Sequence, residues 1–171
     1  MKKFVFIDES IRDQYTIAAV VVPINRVGEY RRAMLSLRTK GARSFHIGKE
    51  RKERQRNAVK VLADLDYCSF IYTSANQRPM VVARQAALSG LLLKLDDSNV
   101  SLILDETTMK QFDIQILSAE RLRRNVDLDF VHLHRHYDSG LWGADILAWS
   151  IGTQYQTLFR GYDTTPSKPC S

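Results

Sequence analysis

Two β-type runs stand close enough at the start of the chain that their connection fixes how they are related. Lys3 to Asp8 and Tyr15 to Pro23 (YTIAAVVVP) are rich in β-branched and aromatic residues, and the polar turn Ser10 to Gln14 joins them. This is the pattern of an antiparallel hairpin. Strand-like and helix-like segments then alternate without an internal repeat or long linker. Asn25 can cap a helix through RVGEYRRAMLSLRTK, where Val27, Tyr30, Met34 and Leu37 recur at helical spacing. The segment HIGKERKERQRNAVKVLADL begins polar and ends on the stripe Val59, Leu62 and Ala63. Strands are expected at Tyr67 to Ser74, Val100 to Leu104 and Leu128 to His136. Helices are expected from about Pro79 to Leu95, from Thr107 or Thr108 to Arg124, and from Leu141 to Phe159.

That order predicts an α/β fold: a mixed sheet of about five strands with an N-terminal hairpin and helices on both faces. A chain of 171 residues, 44% of them hydrophobic, can bury one core. One domain over 1–161 and a loose tail over 162–171 are expected. The longest apolar run, Ile17 to Val22, falls far short of the ~18 residues that cross a bilayer, and MKKFVFIDE lacks the long apolar stretch of a signal peptide. The expectation is therefore a cytoplasmic protein with no membrane partner. Cys68 and Cys170 fit no metal or disulfide spacing and read as reduced thiols. The formal charge of +6 permits a polyanionic partner.

The first strand, FVFIDES, runs from apolar residues into Asp8-Glu9, and VSLILDET runs in the same way into Asp105-Glu106. Functional groups of α/β sheets gather beyond the carboxyl ends of strands. If the two strands are parallel neighbours, Asp8 and Asp105 emerge at one sheet edge. Strand side chains alternate, so each pair offers one acid to a given side, and the aspartates are the pair expected to converge. A third acid, Asp145, lies in GLWGADILAWSIGTQYQ among residues expected to be buried, with Leu141 and Trp149 on its face. A buried carboxylate needs a base, hydrogen bonds or a metal ion.

FVFIDES, SFHIGKERKERQR, LILDET and GADILAWSIG, in this order and spacing, resemble the domain of unknown function 3800 family, a bacterial and phage group with a ribonuclease-H-like fold. The motifs span nearly the whole chain. The resemblance implies that Asp8 matches the first-strand aspartate, Asp105 the central-strand aspartate and Asp145 that of the terminal Ala-Asp helix motif. It also raises His46 to a catalytic candidate. The chain departs from the family at Ile11, where Gly is common, and at Trp142, where Gln is common.

Three such aspartates are what ribonuclease-H-like nucleases use to hold two divalent cations. Mg²⁺ and Mn²⁺ prefer hard oxygen ligands. Two ions ~3.5–4 Å apart activate a water and stabilise the leaving oxygen of a phosphodiester. In that reading Asp8 bridges both ions, Asp105 and Asp145 each hold one, and Glu9, Glu106, Glu50 and Glu53 compete for the place of a fourth acid.

Histidine offers a different chemistry. In VHLHRHYDS, alternation places His132, His134 and His136 on one strand face, and two of them could grip Zn²⁺ in a zinc hydrolase. The ordinary reading of His132 and His134 is a polar, half-exposed face. His136, beside Asp138, is a candidate proton shuttle or leaving-group contact. The run KERKERQR offers Lys49, Arg51, Lys52, Arg54 and Arg56 as contacts for nucleic-acid phosphates, against the plainer reading of a solvated helix face with pairs such as Glu50 and Arg54. Trp142 and Trp149 read as core or homodimer contacts. Three functions follow in order: a metal-dependent nuclease acting on DNA or RNA, a ribonuclease-H-like binding module of a mobile-element or defence system without turnover, and the zinc hydrolase.

Overall fold

A computed structural model of the chain describes residues 1–12, 15–74, 79–95 and 99–159. The tail expected over 162–171 therefore lies outside the described residues. Five strands, β1 (Lys3–Ile11), β2 (Tyr15–Pro23), β3 (Cys68–Ser74), β4 (Asn99–Asp105) and β5 (Asp127–Leu133), form one sheet in the order β3-β2-β1-β4-β5. β1 and β2 are the antiparallel hairpin, with β3 antiparallel beyond it. β4 runs parallel to β1 and to β5. The sheet is mixed because the short β1–β2 turn reverses the chain, whereas the connections carrying helices return it in the same direction.

Five helices cover the two faces: α1 (Val27–Leu35), α2 (Lys52–Asp64), α3 (Met80–Leu95), α4 (Lys110–Arg124) and α5 (Gly140–Ser150). Alternation sorts the core. Phe6, Ala18, Val20 and Ile103 face one way and pack with Tyr30 and Met34 of α1, Val59 and Leu62 of α2, and Leu141, Ile146 and Leu147 of α5. Val5, Ile7, Ile17, Leu102 and Leu104 face the other way, onto Leu88 and Leu91 of α3 and Leu117 of α4.

Helix α5 lies very close to the sheet because two glycines permit it. A Cβ at Gly140 would overlap the Phe6 ring, and one at Gly143 would overlap the Tyr30 hydroxyl. In the space this leaves, the Tyr30 hydroxyl donates to the Gly140 carbonyl at 2.9 Å. Asp138 caps the start of α5, accepting from the Gly140 N–H at 2.9 Å, and is itself held by Arg31 of α1 through Nε at 2.9 Å.

Several element ends differ from expectation. Asn25 lies inside a 3-10 turn over Ile24–Arg26 and does not cap α1, which stops at Leu35. The polar half of the second helical segment is a 3-10 turn over Ile47–Lys49, and α2 starts only at Lys52 because Glu50 and Arg51 are extended. β5 ends at Leu133, since the Tyr137 N–H turns back onto the His134 carbonyl at 2.9 Å. α5 ends at Ser150, where Ile151 is extended and Gly152 takes a positive φ of 73°. Cys170 lies outside the described residues. No helix among the described residues is long and apolar enough to cross a membrane.

Candidate functional site

Register brings the first two aspartates together. Ile7 pairs with Leu104 in the parallel β1–β4 ladder, so Asp8 and Asp105 leave the sheet side by side at its carboxyl edge. Both follow the side-chain direction of Phe6 and Ile103, toward the layer that contains α5. Asp145, one turn into α5 and only 7% exposed, comes down on the same place. Three carboxylates from segments far apart in sequence thus share one site.

What they share is the guanidinium of Arg135. Its Nη2 lies 2.5 Å from Asp105 Oδ2 and 3.5 Å from Asp8 Oδ2, and its Nη1 lies 3.5 Å from Asp145 Oδ2. Two backbone N–H groups also donate to the cluster. The Glu9 N–H donates to Asp8 Oδ1 at 2.7 Å, and the Ile47 N–H donates to Asp145 Oδ2 at 2.9 Å. His46 Nδ1 lies 2.9 Å from that same Asp145 oxygen and 3.0 Å from Arg135 Nη1. One ring nitrogen cannot serve an acceptor-only carboxylate and a donor-only guanidinium at once.

The charge balance still favours the negative sign. Burial pushes the Asp8 carboxyl well above its usual range, Asp145 and Asp105 push the same way, and Arg135 and the Glu9 N–H only partly offset them. Arg135 shows the converse: burial works against its charge, yet Asp8, Asp145 and Asp105 hold it above the ordinary arginine value. Three carboxylates against one guanidinium leave the centre short of positive charge.

Beside it opens a cleft of about 360 Å³ lined by Asp8, Glu9, Arg84, Asp105, Thr107 and Arg135, among others. A cavity of about 340 Å³ elsewhere, lined by Val20, Leu62, Asp64, Tyr67 and Leu147, gathers no comparable set of chemical groups. Among the described residues no group of three or more His, Cys, Asp or Glu side chains is arranged to hold a metal ion. The aspartates surround a guanidinium instead. The donor set nevertheless fits a hard divalent cation, because it consists of carboxylate oxygens around a centre short of positive charge.

The other expected residues are dispersed. Glu9 turns to the opposite face of β1, where its carboxylate accepts from Tyr15 at 2.8 Å, Arg84 at 2.6 Å and Thr107 at 3.0 Å. Glu106 lies 2.9 Å from His134 Nε2 and 3.9 Å from Lys110 Nζ. The three histidines do not converge. His132 is not half-exposed as expected: its side chain is 2% exposed, and Nε2 lies 2.8 Å from Asp113 Oδ2. His136 is exposed and stacked between His134 and Tyr137, outside the aspartate cluster. In the basic run, Arg54 is used structurally, donating to Glu50 at 2.5 Å and to the Leu37 carbonyl at 2.6 Å. Lys49, Arg51, Lys52 and Arg56 are exposed. Trp142 is a core residue, and its indole N–H fixes the Arg135 carbonyl at 2.7 Å.

Sequence reasoning missed Arg135, the residue that joins the acids. Its signal was the same alternation that singled out the histidines: in HLHRHYDS, a residue between two outward-facing positions points inward. It also missed the buried network in which Arg84 of α3 pairs with Asp113 of α4, Glu9 and Tyr15.

No family model and no curated protein matches this sequence. Solved structures do. The ribonuclease H2 from Pyrococcus horikoshii OT3 is 13% identical, with 96% of this chain and 82% of that one covered and a TM-score of 0.60. RNase HII from Archaeoglobus fulgidus, in its complex with PCNA, is 12% identical over 86% of this chain and 71% of that one, at a TM-score of 0.56. Bst-RNase HIII in complex with Mn²⁺ is 13% identical over 88% of this chain, at a TM-score of 0.55. The chain spans about half the length of that last protein, 51%. The fold is ribonuclease-H-like.

Proposed function

We propose that the chain is a divalent-metal-dependent nuclease, and that it belongs with the domain of unknown function 3800 proteins its motifs resemble. The observation that carries the reading is the meeting of Asp8, Asp105 and Asp145, from β1, β4 and α5, on a single cation at the carboxyl edge of a ribonuclease-H-like sheet. Mn²⁺ in the complex of a structural neighbour supports it.

In this reading Asp8, on the middle strand β1, would hold Mg²⁺ or Mn²⁺ together with Asp105 and Asp145. When bound, such ions lower the pKa of a water and stabilise charge on a leaving oxygen. The chain's own groups do the rest. The Glu9 and Ile47 N–H groups fix the rotamers of Asp8 and Asp145 before any ligand arrives. His46 Nδ1 orients Asp145 from the rim, where its side chain is 40% exposed. Arg135 lies against the oxygens that such an ion would take, and its guanidinium would pair with a phosphate of the substrate.

A second reading has its own observation. Arg135 already neutralises part of the cluster, so the site can serve as a structural ion pair in a nucleic-acid-binding module without turnover. Titrating wild type and Asp8→Asn with Mg²⁺, Mn²⁺ and Zn²⁺, and following cleavage of labelled DNA and RNA, separates the readings. Mg²⁺ or Mn²⁺ binding and cleavage, both lost in Asp8→Asn, support the nuclease. Nucleic-acid binding without any metal response supports the module. Zn²⁺ binding that survives the substitution would support the zinc hydrolase.

A further inference from the structure

The segment after β5 alternates its side chains between two environments. Arg135 enters the aspartate cluster, while His134, His136 and Tyr137 are exposed on the outer side. The three rings form a short ladder. The centroids of His134 and His136 are 5.3 Å apart with planes inclined by 21°, and His136 and Tyr137 are 4.0 Å apart. Tyr137, at the free end, is 74% exposed.

The ladder is rigidly mounted. The Tyr137 N–H closes a turn on His134, the Trp142 indole holds the Arg135 carbonyl, and Glu106 sits 2.9 Å from His134 Nε2. Arg31 clamps Asp138, the next residue. An exposed tyrosine on a fixed backbone loses little entropy when something stacks on it.

His136 and Tyr137 also wall an open cleft of about 450 Å³ with Arg31, Arg38, Arg43 and Trp142. Arg31 is committed to Asp138, but Arg38 and Arg43 are exposed and form no ion pair among the described residues. Arg43 is three residues from His46, and His136 follows Arg135 directly, so the cleft shares two chain segments with the aspartate site.

We infer that this ladder and cleft form a track for an unpaired nucleic-acid strand, with a base stacking on Tyr137 at the free end of the ladder and phosphates meeting Arg38 and Arg43. Aromatic faces beside cations are the chemistry of single-strand binding, because an unpaired base presents a π-face that a duplex keeps covered. The track rests on the nucleic-acid reading above, and it defines the strand state that the aspartate site is given.

Fluorescence anisotropy of labelled dT and rU 12-mers, and of a duplex of equal length, tests the track in EDTA, where cleavage plays no part. Tyr137→Ala should weaken single-strand binding about 5- to 100-fold. Arg38→Gln and Arg43→Gln should each flatten the salt dependence by about 0.7 in log–log slope. Arg123→Gln, on exposed α4 of the opposite layer, should change neither. The two 12-mers separate DNA from RNA. Equal single-strand affinity of wild type and Tyr137→Ala, or wild-type preference for the duplex, overturns the track. The nuclease reading is decided separately: ladder-dependent binding without metal-dependent cleavage keeps the track and removes the nuclease, and Asp8-dependent cleavage with ladder-independent binding does the reverse.

Discussion

Arg135 reaches Asp105 across the ends of two parallel strands, its Nη2 2.5 Å from Asp105 Oδ2, and in doing so stands where the other two aspartates also point. A divalent ion bound there would contend with the guanidinium for the same oxygens.

Removing the guanidinium should have two opposite effects. Arg135→Gln should destabilise the metal-free protein by about 3 kcal/mol, because it leaves partly buried carboxylates without their counter-charge. It should also tighten Mn²⁺ binding about tenfold, since the ion no longer displaces a cation. Urea unfolding in EDTA reads the first and calorimetric Mn²⁺ titration the second. Unchanged Mn²⁺ affinity would rule out competition.

Asp8→Asn should act in the other direction on stability. A carboxyl held above its ordinary value of 3.8 by burial, then by Asp145 and Asp105, is a cost to the fold once ionised. That cost is absent below pH 3.8, grows as pH rises through the raised folded-state value and is complete above it. The variant should therefore match wild type near pH 4 and be the more stable of the two at neutral pH. Thermal denaturation at both pH values in EDTA decides the matter, and a less stable variant at neutral pH contradicts the repulsion between the acids.

The network on the other face has the opposite sign. Burial pushes Asp113 up, but hydrogen bonds from Arg84 and His132 outweigh it and hold the carboxyl below 3.8. Such a group contributes stability above pH 3.8 and loses it as pH falls through the lowered folded-state value. Asp113→Asn should cost about 3 kcal/mol at pH 7, because buried Arg84 and His132 lose the carboxylate they share and Arg84 keeps only the Glu9 carboxylate. The difference from wild type should shrink below pH 4. A pH-independent difference in urea midpoints would show that packing, not charge, is responsible.

Two glycine substitutions should separate space from propensity. Gly143→Ala drives a methyl into the Tyr30 hydroxyl and should cost about 3 kcal/mol or more. Gly90→Ala, in α3 with the Phe70 ring 3.8 Å from the added carbon, should gain about 0.5–1 kcal/mol from helix propensity. Paired chemical denaturation measures both. Similar midpoints for the two variants would mean that α5 is not seated on the sheet through Gly143.

Much of the fold was legible because it follows from local periodicity. The hairpin, the repeated strand-to-acid endings and the buried stripe around Asp145 are all statements about the next two to four residues. The ends of elements were less legible. β5 and α5 stop early because of a turn at His134–Tyr137 and a positive φ at Gly152, neither of which an apolar pattern records.

The sequence by itself determined that Asp8 and Asp105 would follow similar apolar strand runs and that alternation would send each away from its neighbouring glutamate. Only the tertiary structure decided which cation they meet. Parallel register set Asp8 beside Asp105, two glycines let α5 bring Asp145 close, and the turn after β5 aimed Arg135 among them while presenting His134, His136 and Tyr137 to solvent. Charge acts through space, and its partners here lie as far apart in the chain as residues 8 and 145. No window of local sequence contains that distance.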